Sequence, residues 1–454
     1  MSDPSDENPL MARLRAGLDW PNWSSWPDHS VDPVPATAAF DAESVDPAER
    51  RAEVERRRSL ARTVDRGGPW LELFDDDMDG RLHPDDDAEL GPLAMQTFAI
   101  KGLLAVEGHV TTAGSPVRSD AAPERATAPI IGRLAGLGAV PLGTVTLHEF
   151  AFGVTGVNPH AGTAPNPAAP GRCPGGSSSG SASAVADGSA TFAIGTDTGG
   201  SVRIPSAFCG IAGFKPAHGT YPADGVFPLS PTLDHVGIHA STVAEIASIH
   251  AALGHQRAAA TGPGRIGLAR ADLDAADPEV RDAIISSLDQ LSGAGAEIVE
   301  VEWPDAESSF VASTTIMYSE AAAVHQSSLE TMRDRYGDDV RSRLELGAEL
   351  TGTEVAAAHR LRLQLIAEVL ATLHRVDVIA SPTVPIVAPL LSDADDPALP
   401  PRIVANTRLG NVVGLPAVTL PAPADGPPVG LQLLGAANGS TLAVALAVEE
   451  VLAG

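Results

Sequence analysis

Between residues 95 and 240 the chain alternates short apolar runs with stretches of small residues. MQTFAIKGLLAV (95–106) predicts a buried strand, and RATAPIIGRLAGLGAVPLGTVTLHEF (125–150) predicts a helix, a turn and a second strand. SASAVADG (181–188) continues as a small-residue helix and TFAIGT (191–196) as another strand. From 243 to 375 the apolar spacing becomes helical, as in DPEVRDAIISSLDQL and EVAAAHRLRLQLIAEVLATL, with the strands RIGLAR and AEIVEVEW between helices. The tail reads as strands VDVIASPTV, AVTLPAP and VGLQLLG, closed by helix TLAVALAVEEVLA. This order predicts an α/β fold with a single large mixed β-sheet flanked by helices, the last strands rejoining the sheet begun by the first. No repeat of 20–50 residues is visible. Residues 1–90 differ in texture and are expected to form an N-terminal helical and acidic extension. Residues 91–454 are expected to form the main domain, with 270–375 as a helical cap over a pocket.

Composition narrows the function classes. The 454 residues are 44% hydrophobic but only 4% aromatic, and the net charge is −28. Such a surface repels nucleic acid and anionic membranes. No run of 18 apolar residues and no secretory leader is seen, so a cytoplasmic protein is expected. Two cysteines, Cys173 and Cys209, make neither a disulfide framework nor a zinc site and read as small buried fillers. His148, His160, His218 and His235 show no metal spacing and read as structural or surface groups. The segment LFDDDMDGRLHPDDD opens like a calcium loop at Asp75, Asp77, Asp79 and Gly80. Asp86 replaces the bidentate Glu and Pro84 obstructs an exiting helix, so it reads as a solvated acidic loop. Lysine occurs only at Lys101 and Lys215, against 28 arginines. Lysine, unlike arginine, can act as a neutral base, so both positions call for a reason.

Candidate chemistry concentrates in the Gly/Ser-rich region. VNPHAGTAPNPAAPGRCPGGSSSGS is too long to be a mere connector. It is not a phosphate loop, since no GK[ST] follows. Gly176 to Gly180 match GxSxG around Ser178, but the Pro-rich stretch before them cannot be the strand a nucleophile elbow needs. In DTGGS, successive N–H groups at Thr198, Gly199, Gly200 and Ser201 can converge on an oxyanion, with the Ser201 hydroxyl beside them.

The block GGSSSGSASAVADGSATFAIGTDTGGSVRIPSAFCGIAGFKP closely resembles the signature of the amidase signature family, the Ser–cis-Ser–Lys amidohydrolases. FAIKGLLAVEGHVTTAGS, HEFAFGVTGVNPHAGTAPNP, GVFPLSPTLDHVG, ASPTVP, NVVGLPAVTLP and PVGLQLLG support it in the family's order. In texture the chain is nearest to carboxybiuret or allophanate hydrolases and small-amide amidases. The resemblance implies Ser201 as acylated nucleophile, Ser177 as the cis-serine and Lys101 as base. It further implies Thr198, Gly199, Gly200 and Ser201 as oxyanion-hole donors, with Ser178, Asp197 and Arg203 in support. Lys215 also matches a family position, outside the triad.

No metal or other cofactor is implied, and the expected partner is a small amide substrate. Residues 1–90 are expected to pack on the body or to form a homodimer contact. The family usually has Asp-Asn after the base, whereas Gly102-Leu103 stand here. No basic residue precedes Gly225-Val226-Phe227-Pro228, and Asp224 hints at a neutral or cationic substrate. The expected function is hydrolysis of a small carboxamide or urea-type C–N bond. One alternative is the amidase component of a tRNA-dependent glutamine amidotransferase (its A chain), disfavoured by the acidic arm and the missing Asp-Asn. The other is a non-catalytic binding relative.

Overall fold

The computed structural model describes residues 10–11, 47–64, 68–74, 91–94, 96–260 and 262–454. The acidic segment from Asp75 to Asp86 lies outside the described residues. Helix α1 (Pro47–Val64) lies within residues 1–90, expected to form a helical and acidic extension. Eleven strands form one mixed sheet: β1 (Trp70–Leu73), β2 (Thr97–Lys101), β3 (Val140–Val145), β4 (Phe192–Asp197), β5 (Ala212–Lys215), β6 (His235–Ala240), β7 (Arg265–Ala269), β8 (Glu297–Val301), β9 (Val378–Pro382), β10 (Ala417–Ala422) and β11 (Val429–Gly435). Their spatial order is β1-β3-β2-β4-β6-β5-β10-β11-β9-β7-β8. The late strands do rejoin the early ones, because β10 pairs antiparallel with β5. Strands β5 and β6 lack a distinct apolar run in the sequence and pair with each other, and β1 is an edge strand paired with β3.

The central strands β2, β4 and β6 are buried along their whole length. Helix α2 (Pro129–Gly136) leads into β3, and α3 (Ser179–Ala186) into β4. Helix α3 lies unusually close to the sheet. A Cβ at Gly180 would sit 2.6 Å from both the N and O of Thr146. The small side chains of α3 are therefore what permits contact, with Ala182, Ala184 and Val185 packed with Ala99, Val140 and Ala193. Helix α4 (Arg203–Phe208) follows β4 and is buried throughout. After α5 (Val243–Ala252) and α6 (Pro278–Gly293) come α7 (Ala306–Met332), α8 (Asp338–Glu349) and α9 (Gly352–Leu373), the three long helices within the segment 270–375 expected to form a cap; that segment also holds β8 of the sheet. A short helix α10 (Arg408–Val412) and the terminal α11 (Asn438–Ala453) complete the set used below. Residues 309–318 of α7 are buried without a break, so that stretch is enclosed on all sides. No helix among the described residues is long and apolar enough to cross a membrane.

Candidate active site

Three segments meet at the C-terminal ends of β2 and β4. Lys101 is the last residue of β2 and is wholly buried. Its Nζ lies 2.8 Å from Ser177 Oγ and 2.7 Å from Thr196 Oγ1. Burial pushes the Lys101 amine down to about 7, against the opposing pull of the Asp234 and Asp197 charges. Ser177 precedes α3 and is itself fully buried, and the Gly176–Ser177 peptide is cis. The His148 N–H donates to Ser177 O at 3.0 Å, and the Ser178 N–H donates to Ser201 O at 3.2 Å. The two serine segments are thus tied together through their backbones.

Asp197 ends β4 and organises the turn after it. Its carboxylate accepts the N–H of Gly200 at 2.9 Å and of Val202 at 3.1 Å. Arg203 closes on the same carboxylate through Nε at 3.0 Å and Nη2 at 2.9 Å. Burial alone would raise the Asp197 carboxyl, but the Arg203 guanidinium and its hydrogen bonds hold it well below the ordinary range. At Gly200 φ is 127°, and a Cβ there would meet Thr407 Oγ1 at 2.3 Å. Only glycine fits this close approach. Ser178, by contrast, faces the sheet. Its Oγ bonds to Thr196 O at 3.1 Å, which leaves the GxSxG match without a catalytic geometry.

A cleft opens over Thr198, Gly199 and Ser201. Its walls include Phe152, Val154, Leu229, Met317, Tyr318 and Val404, with Arg343 and Arg408 the cationic members. Residues 151–154 come from the loop after β3, and Met317, Tyr318 and Arg343 from α7 and α8. Asp224 is exposed and does not line the cleft, so its hint about substrate charge is not carried into the structure.

Several site features have no signal of their own in the sequence. Thr196 shares Lys101 with Ser177. Asn411 and Gln432 hold Arg203, at 2.7 Å each. Asp234 accepts the Thr198 hydroxyl at 2.6 Å. The last three lie within NVVGLP, VGLQLLG and SPTLDHVG, stretches that resemble the family without marking any single residue. At Gly102, where the family usually has Asp, a Cβ would lie 2.7 Å from Leu71 Cδ1 of β1.

The other expectations are quickly placed. His148 and His235 are buried, and His148 Nε2 pairs with Asp339 Oδ2 at 2.9 Å. Both cysteines are free and buried, and burial raises the Cys173 thiol to about 11. Lys215 is buried beside Arg203. Its Nζ donates to Leu415 O at 2.5 Å, and burial drives its pKa well down. No cluster of metal-binding side chains occurs among the described residues.

Comparison with known proteins bears on the same region. A family model described as Amidase matches residues 76–441. An indoleacetamide hydrolase of Pseudomonas savastanoi is 35% identical over 384 residues, 80% of this chain and 84% of that protein. The A chain of the glutamyl-tRNA(Gln) amidotransferase of Halobacterium salinarum is 33% identical over 407 residues, 79% of this chain and 96% of its own length. Among solved structures, a crystal structure of an amidase superposes with a TM-score of 0.80 at 29% identity, covering 88% of this chain and 95% of the other. Sheet order, signature block and these likenesses agree, and the chain belongs to the amidase family, hydrolases acting on amide C–N bonds.

Proposed function

We propose that the protein hydrolyses a small carboxamide through an acyl-enzyme on Ser201, with Lys101 as base and Ser177 as relay. The observation that carries this reading is a buried amine, with its pKa near neutrality, 2.8 Å from a serine hydroxyl behind the cleft that exposes Ser201. Neutral Lys101 donates an N–H to Thr196 and keeps its lone pair for the Ser177 proton. As Ser201 Oγ bonds to the carbonyl carbon, its proton passes to Ser177 and the Ser177 proton to Lys101. The Gly200 N–H is engaged by Asp197, which leaves the amides of Thr198, Gly199 and Ser201 as donors to the oxyanion. The relay then runs backward, the C–N bond breaks, and ammonia or an amine leaves. Water repeats the attack on the ester, releasing the acid and restoring Ser201.

The apolar walls suit an acyl group with an aromatic or aliphatic body, as in the amide named by the Pseudomonas savastanoi relative. Within 270–375, helices α7 and α8 act as the cap that shapes this pocket, through Met317, Tyr318 and Arg343, while β8 belongs to the main sheet. Of residues 1–90, β1 joins that sheet and α1 belongs to the N-terminal extension. The cytoplasm is the compartment that suits two buried free thiols. Ammonia release from a panel of indole-3-acetamide, phenylacetamide, aliphatic amides and ureas tests the reading. Activity on the best substrate should fall by at least about 10³-fold in Ser201→Ala. Full activity in that variant would exclude Ser201 as nucleophile. The likeness to an amidotransferase component supports a second reading, favoured if glutaminase activity arises only with copurifying partner proteins.

A further inference from the structure

Thr198 lines the cleft beside Gly199 and Ser201, and its hydroxyl makes a 2.6 Å hydrogen bond with Asp234 Oδ1. The direction of that bond is decided by what else Asp234 holds. Its Oδ2 accepts the N–H of Leu229 at 3.0 Å and of Ser230 at 3.1 Å, and its Oδ1 accepts Ser230 N–H at 3.2 Å. An ionised carboxylate only accepts. Thr198 is therefore the donor, in a short, charge-assisted bond that commits its single hydroxyl proton. Among the described residues no other donor is directed at Thr198 Oγ1. What remains on that oxygen is acceptor capacity, on a residue that lines the cleft where Ser201 sits.

We infer that Thr198 Oγ1 accepts an N–H of the scissile amide, and that Asp234, by fixing the polarity of that hydroxyl, makes the site prefer amides to esters. Asp234 is thus a positioning residue, acting through Thr198. The inference rests on the proposed attack by Ser201 in this cleft and names the leaving group that the cleft selects. A primary amide nitrogen carries two N–H groups, one of which satisfies Thr198 while the nitrogen lone pair takes the proton from the relay. An ester oxygen carries none and sets lone pairs against lone pairs. A site built to bond an N–H rejects the analogue lacking it.

The test compares phenylacetamide with methyl phenylacetate, or the fastest amide of the panel with the methyl ester of the same acid. Both substrates give the same acyl-enzyme, so the ratio of their kcat/KM values isolates the leaving-group contact. In Thr198→Val the amide-to-ester ratio should fall about tenfold, the size of one lost hydrogen bond. In Asp234→Asn, whose side-chain amide can donate to Thr198 and turn the hydroxyl proton toward the cleft, the ratio should fall in the same direction. Thr198→Ser, which keeps the hydroxyl, should hold the ratio within about twofold. If Thr198→Val and Asp234→Asn slow both substrates equally, the inference is overturned while the amidase reading stands. If the wild type shows no Ser201-dependent turnover of either substrate, the amidase reading fails and takes this inference with it.

Discussion

At the scale of single residues, Lys101 carries the most specific consequences. Its environment penalises the ammonium, so a neutral amine is available near neutrality for the proposed role as base. With Lys101 acting in its neutral form, kcat/KM should climb about tenfold per pH unit below about 7 and level off above it, as read from a pH–rate profile. Lys101→Arg should lose at least about 10³-fold in kcat/KM, because a guanidinium stays charged. The same burial has a stability cost of defined sign. From about pH 7 to 10.5 the unfolded lysine binds a proton that the folded one does not, so stability rises with pH across that window. Lys101→Met should therefore stabilise the protein by a few kcal/mol below about pH 7, with the gain shrinking toward pH 10, as followed by denaturant unfolding. The scarcity of lysine makes this position visible in the sequence. Its partner Thr196 is not visible there, since a threonine in a strand has no chemical signature until the fold sets it beside an amine.

At the scale of elements, the approach of α3 to β3 fixes where Ser177 and Ser178 stand. Gly180→Val would drive side-chain atoms into the Thr146 backbone. It should cost about 1–3 kcal/mol in unfolding free energy and lower kcat more than it raises KM, because the proposed relay, Ser177, lies just before α3. Unchanged kinetics in a destabilised Gly180→Val would separate helix packing from the site. The small-residue run is readable as a helix from composition, but its closeness to the sheet is not, because that depends on what lies opposite. Gly102 shows the same dependence. The departure from the family pattern is evident in the sequence, whereas the neighbour it packs beside, Leu71 on the edge strand β1, belongs to a segment with no evident link to Lys101.

At the scale of the whole molecule, one buried charge network joins distant parts of the chain. Arg203 bonds Asp197 on one side and, on the other, Asn411 and Gln432, which stand 208 and 229 residues further along. Asn411 in turn donates to Asp197 O and Oδ1, both at 2.8 Å. The turn that presents Ser201 is thus braced by the late strands and helices. Arg203→Leu leaves the Asp197 charge buried without its cation, and should cost about 3–5 kcal/mol. The sign with pH is also set. Asp197 is held below the ordinary carboxylate range, so its stabilisation is present above that range and lost as pH falls through its lowered value. Without Arg203 the carboxyl rises, and acid unfolding should begin at a higher pH than in the wild type, measurable by far-UV circular dichroism.

The apolar runs determined most of the sheet, because strands buried on both faces read as near-continuous apolar stretches, whereas β5 and β6 show no such run. The signature block singled out the serines and the glycine turn, and the separate stretch around FAIKG singled out Lys101, since the proposed chemistry admits few other residue types at those places. Only the tertiary structure decided which carboxylate serves Arg203, which hydroxyls reach Lys101, and which way the Thr198 proton points. Those are contacts between segments up to hundreds of residues apart. Their geometry follows from packing, and no local pattern of side chains encodes it.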